Sequence, residues 1–180
     1  MSFNLADIEV VTRRAARSAI NKTLRKARTA SVRKVRQTYA IRTADVNKHI
    51  KLTSASFSDL QGILSIRSKR LGLITFSARQ KPAWPGTTVK IRRDRDRKLV
   101  RSAFIQTANR ARHVWMRQGK SRYPLRLLRT LSPTQMFKSV GQREFEDVAT
   151  REMPPQYEHE IEFFMRRAYK RWIFGAGPSR

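Results

Sequence analysis

Between residues 5 and 39 the chain runs without a Gly or Pro, and its apolar and small side chains recur at helical spacing: Leu5, Ile8, Ala15, Ala16, Ala19, Ile20, Thr23, Leu24, Ala27, Val32, Val35 and Tyr39. One long helix is the expected result. At ~1.5 Å per residue it approaches ~50 Å, which is long for a 180-residue domain, so it either kinks or docks partly on a neighbouring subunit. Asn4 is placed to cap it, and Asp7 and Glu9 sit in the first turns, where the helix dipole favours negative charge. Arg13, Arg14, Arg17, Lys22, Arg25, Lys26, Arg28, Arg33, Lys34 and Arg36 occupy most of the other face. Such a helix offers a narrow, alanine-rich seam to the core and a broad cationic flank elsewhere.

That flank belongs to a chain with 40 Lys+Arg against 13 Asp+Glu, a net charge of +27. So much like charge repels itself unless a polyanion or counter-ions are near, and nucleic acid is the natural neighbour. Most of the charge is Arg, whose planar fork suits phosphate and carboxylate groups. Residues 1–133 hold 32 basic and 6 acidic side chains, the remainder 8 and 7, so a polyanion is expected to face the first three quarters. With 180 residues, 39% of them hydrophobic, the chain is expected to build a single domain over 1–180 with a real core. The absence of cysteine excludes disulfides, thiolate nucleophiles and cysteine metal sites, and leaves the compartment open. No apolar run nears the roughly 20 residues that span a bilayer, so no membrane partner is expected. The acidic residues Asp7 and Glu9, and the continuation of the pattern past Val35, argue against a transit peptide.

Further along, Thr43 is placed to cap a short helical turn over 43–49, and a strand begins near Ile50. Two alternating runs, 60–66 and 71–76, read as a pair of strands, with Arg67, Lys69 and Arg70 between them. The loop 82–86 carries Trp84 between two prolines, the aromatic best placed for contact. A strand over 87–91 leads to a charged tip, 92–98, and then to a strand over 99–107. Ala103, Phe104, Ile105 and Thr107 form the first arm of a hairpin and Val114, Trp115 and Met116 the second, around Asn109-Arg110-Ala111-Arg112. Gly119 and Pro124 bracket the loop that follows. Ser132 and Pro133 are expected to start a helix that Gly141 weakens and Pro154-Pro155 ends. A last helix then reaches about residue 173, with Glu158, Glu160 and Glu162 early and Arg166, Arg167, Lys170 and Arg171 late, complementing its dipole, and residues 175–180 fray. The expected class is α+β: a long N-terminal helix (5–39) packed on a mostly antiparallel sheet built from hairpins (about 50–128), with two C-terminal helices (about 133–173).

Catalytic patterns are missing. His49, His113 and His159 are scattered, without metal-ligand spacing; no Gly-rich phosphate loop and no Gly-x-Ser-x-Gly elbow occurs. No catalytic residue, metal site or cofactor is therefore expected. Phe104 and Trp115 fit a core or subunit interface better than base stacking. The tip 92–98 reads equally as a solvated hairpin end or as a finger reaching phosphate, and Asp94 and Asp96 suit pairing with a neighbouring protein as well. The candidate contacts to DNA or a partner are Arg92, Arg93, Arg95, Arg97 and Lys98 at the tip. Arg110 and Arg112 in the hairpin turn, Lys120 and Arg122 in the next loop, and Arg25, Lys26 and Arg33 on the long helix complete the set.

Five blocks carry a resemblance: Ala-Ile-Asn-Lys-Thr-Leu-Arg-Lys-Ala-Arg-Thr (19–29), Leu-Gly-Leu-Ile-Thr-Phe-Ser-Ala-Arg (71–79), Ser-Ala-Phe-Ile-Gln (102–106), His-Val-Trp-Met-Arg with Gly-Lys-Ser-Arg-Tyr-Pro (113–124), and Ser-Pro-Thr-Gln-Met-Phe (132–137). In this order they resemble the phage minor tail protein Z family, the tail completion proteins of lambda-like siphophages. Members typically have Gly where Ser102 stands here, and the 92–98 tip is this chain's own version of a variable hairpin. The resemblance implies a non-catalytic virion protein at the head-proximal end of the tail, made in the host cytoplasm. It would complete the tail for head joining and help seat the genome end in the channel. It further implies a homo-oligomeric ring, expected to be a hexamer, with tail terminator or tail tube, head-connector proteins and packaged DNA as partners. The competing reading is a ribosomal or other RNA-binding structural protein. A free nucleic-acid-binding regulator is disfavoured, since neither helix-turn-helix spacing nor a zipper seam is present.

Overall fold

The computed structural model describes residues 5–82, 85–108 and 110–174. The expected cap Asn4, the contact candidate Trp84, Asn109 of the hairpin turn and the tail 175–180 lie outside the described residues. The long helix is present as α1, Leu5–Thr38. Its buried seam steps by four residues through Val11, Ala15, Ala19, Thr23, Ala27, Ser31 and Val35, the i±4 ridge by which helices interlock with their neighbours. Small side chains along this ridge allow close packing, and the arginines keep the remaining surface hydrated.

The chain forms two compact units. The helical unit comprises Met1–Ala30, Lys51–Ser65 and Glu144–Arg180. Here α1 is joined by helix α4, Gln142–Phe174. The side-chain amide of Asn21 donates to the carbonyl oxygen of Ala55 (3.1 Å) and accepts from its N–H (2.8 Å), replacing the strand neighbour that this backbone lacks. Strands β1, Ile50–Thr53, and β2, Ile63–Ile66, make a two-stranded sheet.

Pro154-Pro155 does not end the helix, contrary to the expectation from sequence; both prolines lie inside α4. The prolines and the residues four positions before them, Thr150 and Arg151, are exposed, so the carbonyls deprived of a donor face water. The interruption lies earlier, where a π turn, Phe137–Gly141, separates α4 from α3, Pro133–Met136. Gly141 is needed there: a Cβ on it would stand 2.7 Å from the Phe137 ring.

The β unit comprises Ser31–Ile50 and Ile66–Arg143. A short helix α2, Thr43–Asn47, follows α1; Arg42 rather than Thr43 is its N-cap, in extended conformation and without a side-chain bond. Strands β3, Gly86–Val89, and β4, Lys98–Arg101, pair antiparallel with Gly86 opposite Arg101. Strands β5, Ala103–Ala108, β6, Ala111–Arg117, and β7, Leu125–Leu127, form a second antiparallel sheet in that order. Ala103 and Val114 from this sheet close a core with Leu73 and Val89, to which Ile105 and Leu128 add. Phe104 and Trp115 are cross-strand partners on the other face and are half-buried.

Two local expectations are revised in this unit. The strand expected over 99–107 is split at Ser102, whose φ of 59° puts a non-glycine residue in the left-handed region. The run 71–76 is not a strand but leads into a 3-10 turn, Leu73–Thr75. Leu73 and Phe76 are both buried, and only a turn of about three residues brings positions three apart onto one side. Backbone bonds from Leu71 and Leu73 to the carbonyls of Leu131 and Leu128 hold it in place. At the far end of the unit the expected cap is found. Ser132 forms a full capping box with Gln135 ahead of α3. The architecture is thus α+β, with a long N-terminal helix, small antiparallel sheets and a C-terminal helical arm.

Candidate functional site

The charge divides between the two units and not at residue 133, the boundary that sequence order implied. The β unit holds 26 Lys+Arg and 3 Asp+Glu, the helical unit 14 and 10, because residues 1–30 join the acidic C-terminal arm instead of the sheets. Nearly all of the net charge therefore belongs to the β unit.

The tip between β3 and β4 does not project freely. Arg92 donates to Asp94 (3.0 Å) and lies over the Tyr39 ring, 5.6 Å from its centroid. The hydrogen bond from Arg92 holds the Asp94 carboxyl below its ordinary range, and the same bond raises the guanidinium. Tyr39 is itself buried and bonded to Ser139 (2.9 Å). Arg93 donates to the carbonyl oxygen of Arg36 (2.8 Å), in the last turn of α1, where the helix dipole attracts a cation. Arg97 turns inward to the carbonyl oxygens of Ser77 and Thr88; burial, and then the neighbouring Arg79, lower its pKa. Arg95 and Lys98 are exposed. The tip thus contains three arginines that hold its shape and two cations available at its surface.

The remaining candidates in this unit are exposed. Arg110, in the β5–β6 turn, has a φ of 61°, and Arg112 follows it. Lys120 and Arg122 lie in the loop before β7, with Arg122 over the Tyr123 ring at 5.7 Å. Arg33 is exposed near the end of α1.

In the helical unit, carboxylates meet part of the positive charge. Lys22 bonds to Glu160 (2.5 Å), which also accepts from Gln156 (3.0 Å). Burial pushes the Glu160 carboxyl up, but hydrogen bonds from Lys22, Ser18 and Gln156 outweigh it and hold the group below its ordinary value. Lys26 reaches Glu152 (3.3 Å) and Gln156 (3.2 Å), and its bond keeps Glu152 ionised to lower pH. Glu160 is therefore a buried ion-pair partner in mid-helix and not a dipole partner at a helix start, since α4 begins thirteen residues before 155. Of the candidates on α1, Lys26 is committed to α4, whereas Arg25 is exposed on the wall of a groove. The other guanidiniums of that groove, Arg14, Arg17, Arg167 and Arg171, were not nominated by sequence, because two belong to a helix flank and two to a helix end that already has a dipole role.

Among the described residues no cluster of three or more His, Asp or Glu side chains is arranged to hold a metal ion, and no helix is long and apolar enough to cross a membrane. His113 is a strand residue packed edge-on against Trp115 (5.8 Å). What the β unit offers is a basic surface whose tip is held in shape by Arg93 and Arg97 on backbone carbonyls.

No curated protein and no solved structure gives a significant match to the chain. A family model does: that of prophage minor tail protein Z matches residues 3–171 of 180. The chain belongs to this family and is a phage minor tail protein, a structural part of the virion.

Proposed function

We propose that this minor tail protein acts at the head-proximal end of the tail, where it completes the tail for head joining and helps position the genome end in the channel. It does so without catalysis, as a homo-oligomeric ring seated between the tail tube or terminator and the head connector, with packaged DNA in reach. The observation that carries this reading is the imbalance of the β unit, 26 basic against 3 acidic side chains. A ring of such units repels itself unless counter-ions or a polyanion stand beside it, and DNA in a tail channel supplies the polyanion. Arg95, Lys98, Arg110, Arg112, Lys120 and Arg122 are the exposed cations through which the charge acts.

The test is complementation of a phage lacking this protein with a variant carrying Ser at those six positions. Filled heads and unjoined tails should accumulate while the protein stays folded. A normal yield of infectious particles would remove these residues from the mechanism. Purified protein should sediment as a nucleic-acid-free ring; co-purifying RNA with a steep salt dependence would favour the RNA-binding alternative instead.

A further inference from the structure

The helical unit contains a groove of about 1000 Å³ between the first half of α1 and the last turns of α4. Its walls carry Arg14, Arg17 and Arg25 from α1 and Arg167 and Arg171 from α4, all exposed. Lys22 at its edge is already bonded to Glu160, and Asp7 is the one carboxylate in the lining. No described ion pair involves any of the five arginines, although ten carboxylates belong to the same unit. The floor is largely apolar, with Val10 and Val11 on one side and Phe164, Ala168 and Trp172 on the other; its polar members, Ser18 and Asn21, are bonded to Glu160 and to the backbone of Ala55. This end of the unit is also where apolar surface is left uncovered. Of the eleven large hydrophobic residues exposed among those described, seven lie in the first turns of α1 or along 163–173 of α4, Trp172 at 49% exposure among them.

We propose that this groove is a docking site for an acidic amphipathic helix of a partner protein. Such a helix would lay its apolar face on the valines and aromatic rings and its carboxylates against the flanking guanidiniums. The lining on α1 extends from Asp7 to Arg25, about five turns, the length of helix that the groove can take. Duplex DNA fits less well, because it has no apolar face for the floor. A single strand stacks its bases on aromatic faces spaced along its path, whereas here both rings stand on the α4 side and the α1 side is aliphatic. A second copy of the chain is a poor occupant as well. Its carboxylates are concentrated over 144–162, and Glu152 and Glu160 are already bonded to Lys26 and Lys22. Glu144, Glu146 and Asp147 also have partners, which leaves Glu158 and Glu162 to face five arginines. The inference does not depend on the tail-completion reading, since it concerns the other unit and a protein ligand.

The probe is a designed 18-residue helix with Leu on one face and Glu on its flanks, fluorescently labelled and titrated into the full chain at 150 mM salt. A Leu/Lys helix of the same pattern, a poly-Glu peptide of equal charge and a DNA duplex serve as comparisons. The Leu/Glu helix should bind at least tenfold tighter than poly-Glu, and Arg17→Glu with Arg171→Glu should weaken it at least tenfold without lowering the melting temperature. Removing the same amount of charge from the β unit with Arg95, Lys98, Arg110 and Arg112 all changed to Ser should alter its binding less than threefold. Equal binding of poly-Glu, equal loss from the β-unit variant, or tighter binding of duplex DNA that depends on Arg17 and Arg171 would overturn the proposal. So would concentration-dependent self-association abolished by the Arg17 and Arg171 changes, which would make the occupant a second copy.

Discussion

In the helical unit, lysines are held by carboxylates: Lys22 by Glu160 and Lys26 by Glu152, each pair joining residues more than a hundred positions apart. At the tip of the β unit, arginines are held by backbone carbonyls: Arg93 by that of Arg36, Arg97 by those of Ser77 and Thr88. Both arrangements satisfy donors, but only the first cancels charge. A guanidinium bonded to a carbonyl keeps its full positive charge while its position becomes defined, so the β unit gains order and remains strongly basic. Arg92, bonded to Asp94, is the exception at the tip. The difference separates lysines neutralised within their own unit from tip arginines that are fixed in place with their charge intact.

Five substitutions test the contrast. The largest effect is expected from Gly86→Ala, because a Cβ there would lie 2.2 Å from the carbonyl oxygen of Val100 across the β3–β4 ladder. A loss of about 3 kcal/mol should appear in urea unfolding; a loss below about 1 kcal/mol would mean that the two strands separate easily.

Glu160→Ala tests the opposite unit and should cost about 2 kcal/mol at neutral pH through the loss of charge-assisted bonds. The folded-state pKa of Glu160 is depressed, so its contribution is present above the unfolded value, about 4.3, and is lost as pH falls through the folded value. Melting curves from pH 7 to pH 3 should therefore show a shallower acid decline in Glu160→Ala than in the parent. An identical decline would place the acid sensitivity elsewhere.

At the tip, Arg97→Ser should lower stability by about 1–2 kcal/mol, since it empties bonds to two carbonyls, whereas Arg95→Ser should change it by less than about 0.5 kcal/mol. Equal effects would erase the distinction between structural and available arginines. The smallest change is a gain. Ser102→Gly should raise stability by about 0.5 kcal/mol in thermal unfolding, because Ser is strained at φ 59° and Gly is not, with part of the relief offset by the greater freedom of an unfolded glycine.

What was legible in the sequence was local. The period of α1, the hairpin β5–β6 and the capping box at Ser132 rest on residues a few positions apart, and the family blocks rest on short stretches read in order. Helical continuation through Pro154-Pro155 was not legible, since it depends on which side of α4 faces water. The 3-10 turn at Leu73–Thr75 was missed for a related reason: alternation over six residues does not say that Leu73 and Phe76 must enter one core. Among the candidate cations, sequence determined that they are many and mostly Arg. Only the tertiary structure decided which of them are committed. Lys26 finds Glu152, Arg93 finds the end of α1, and Arg95 finds water, because hydrogen-bond partners are chosen by distances across the fold that composition and spacing do not encode.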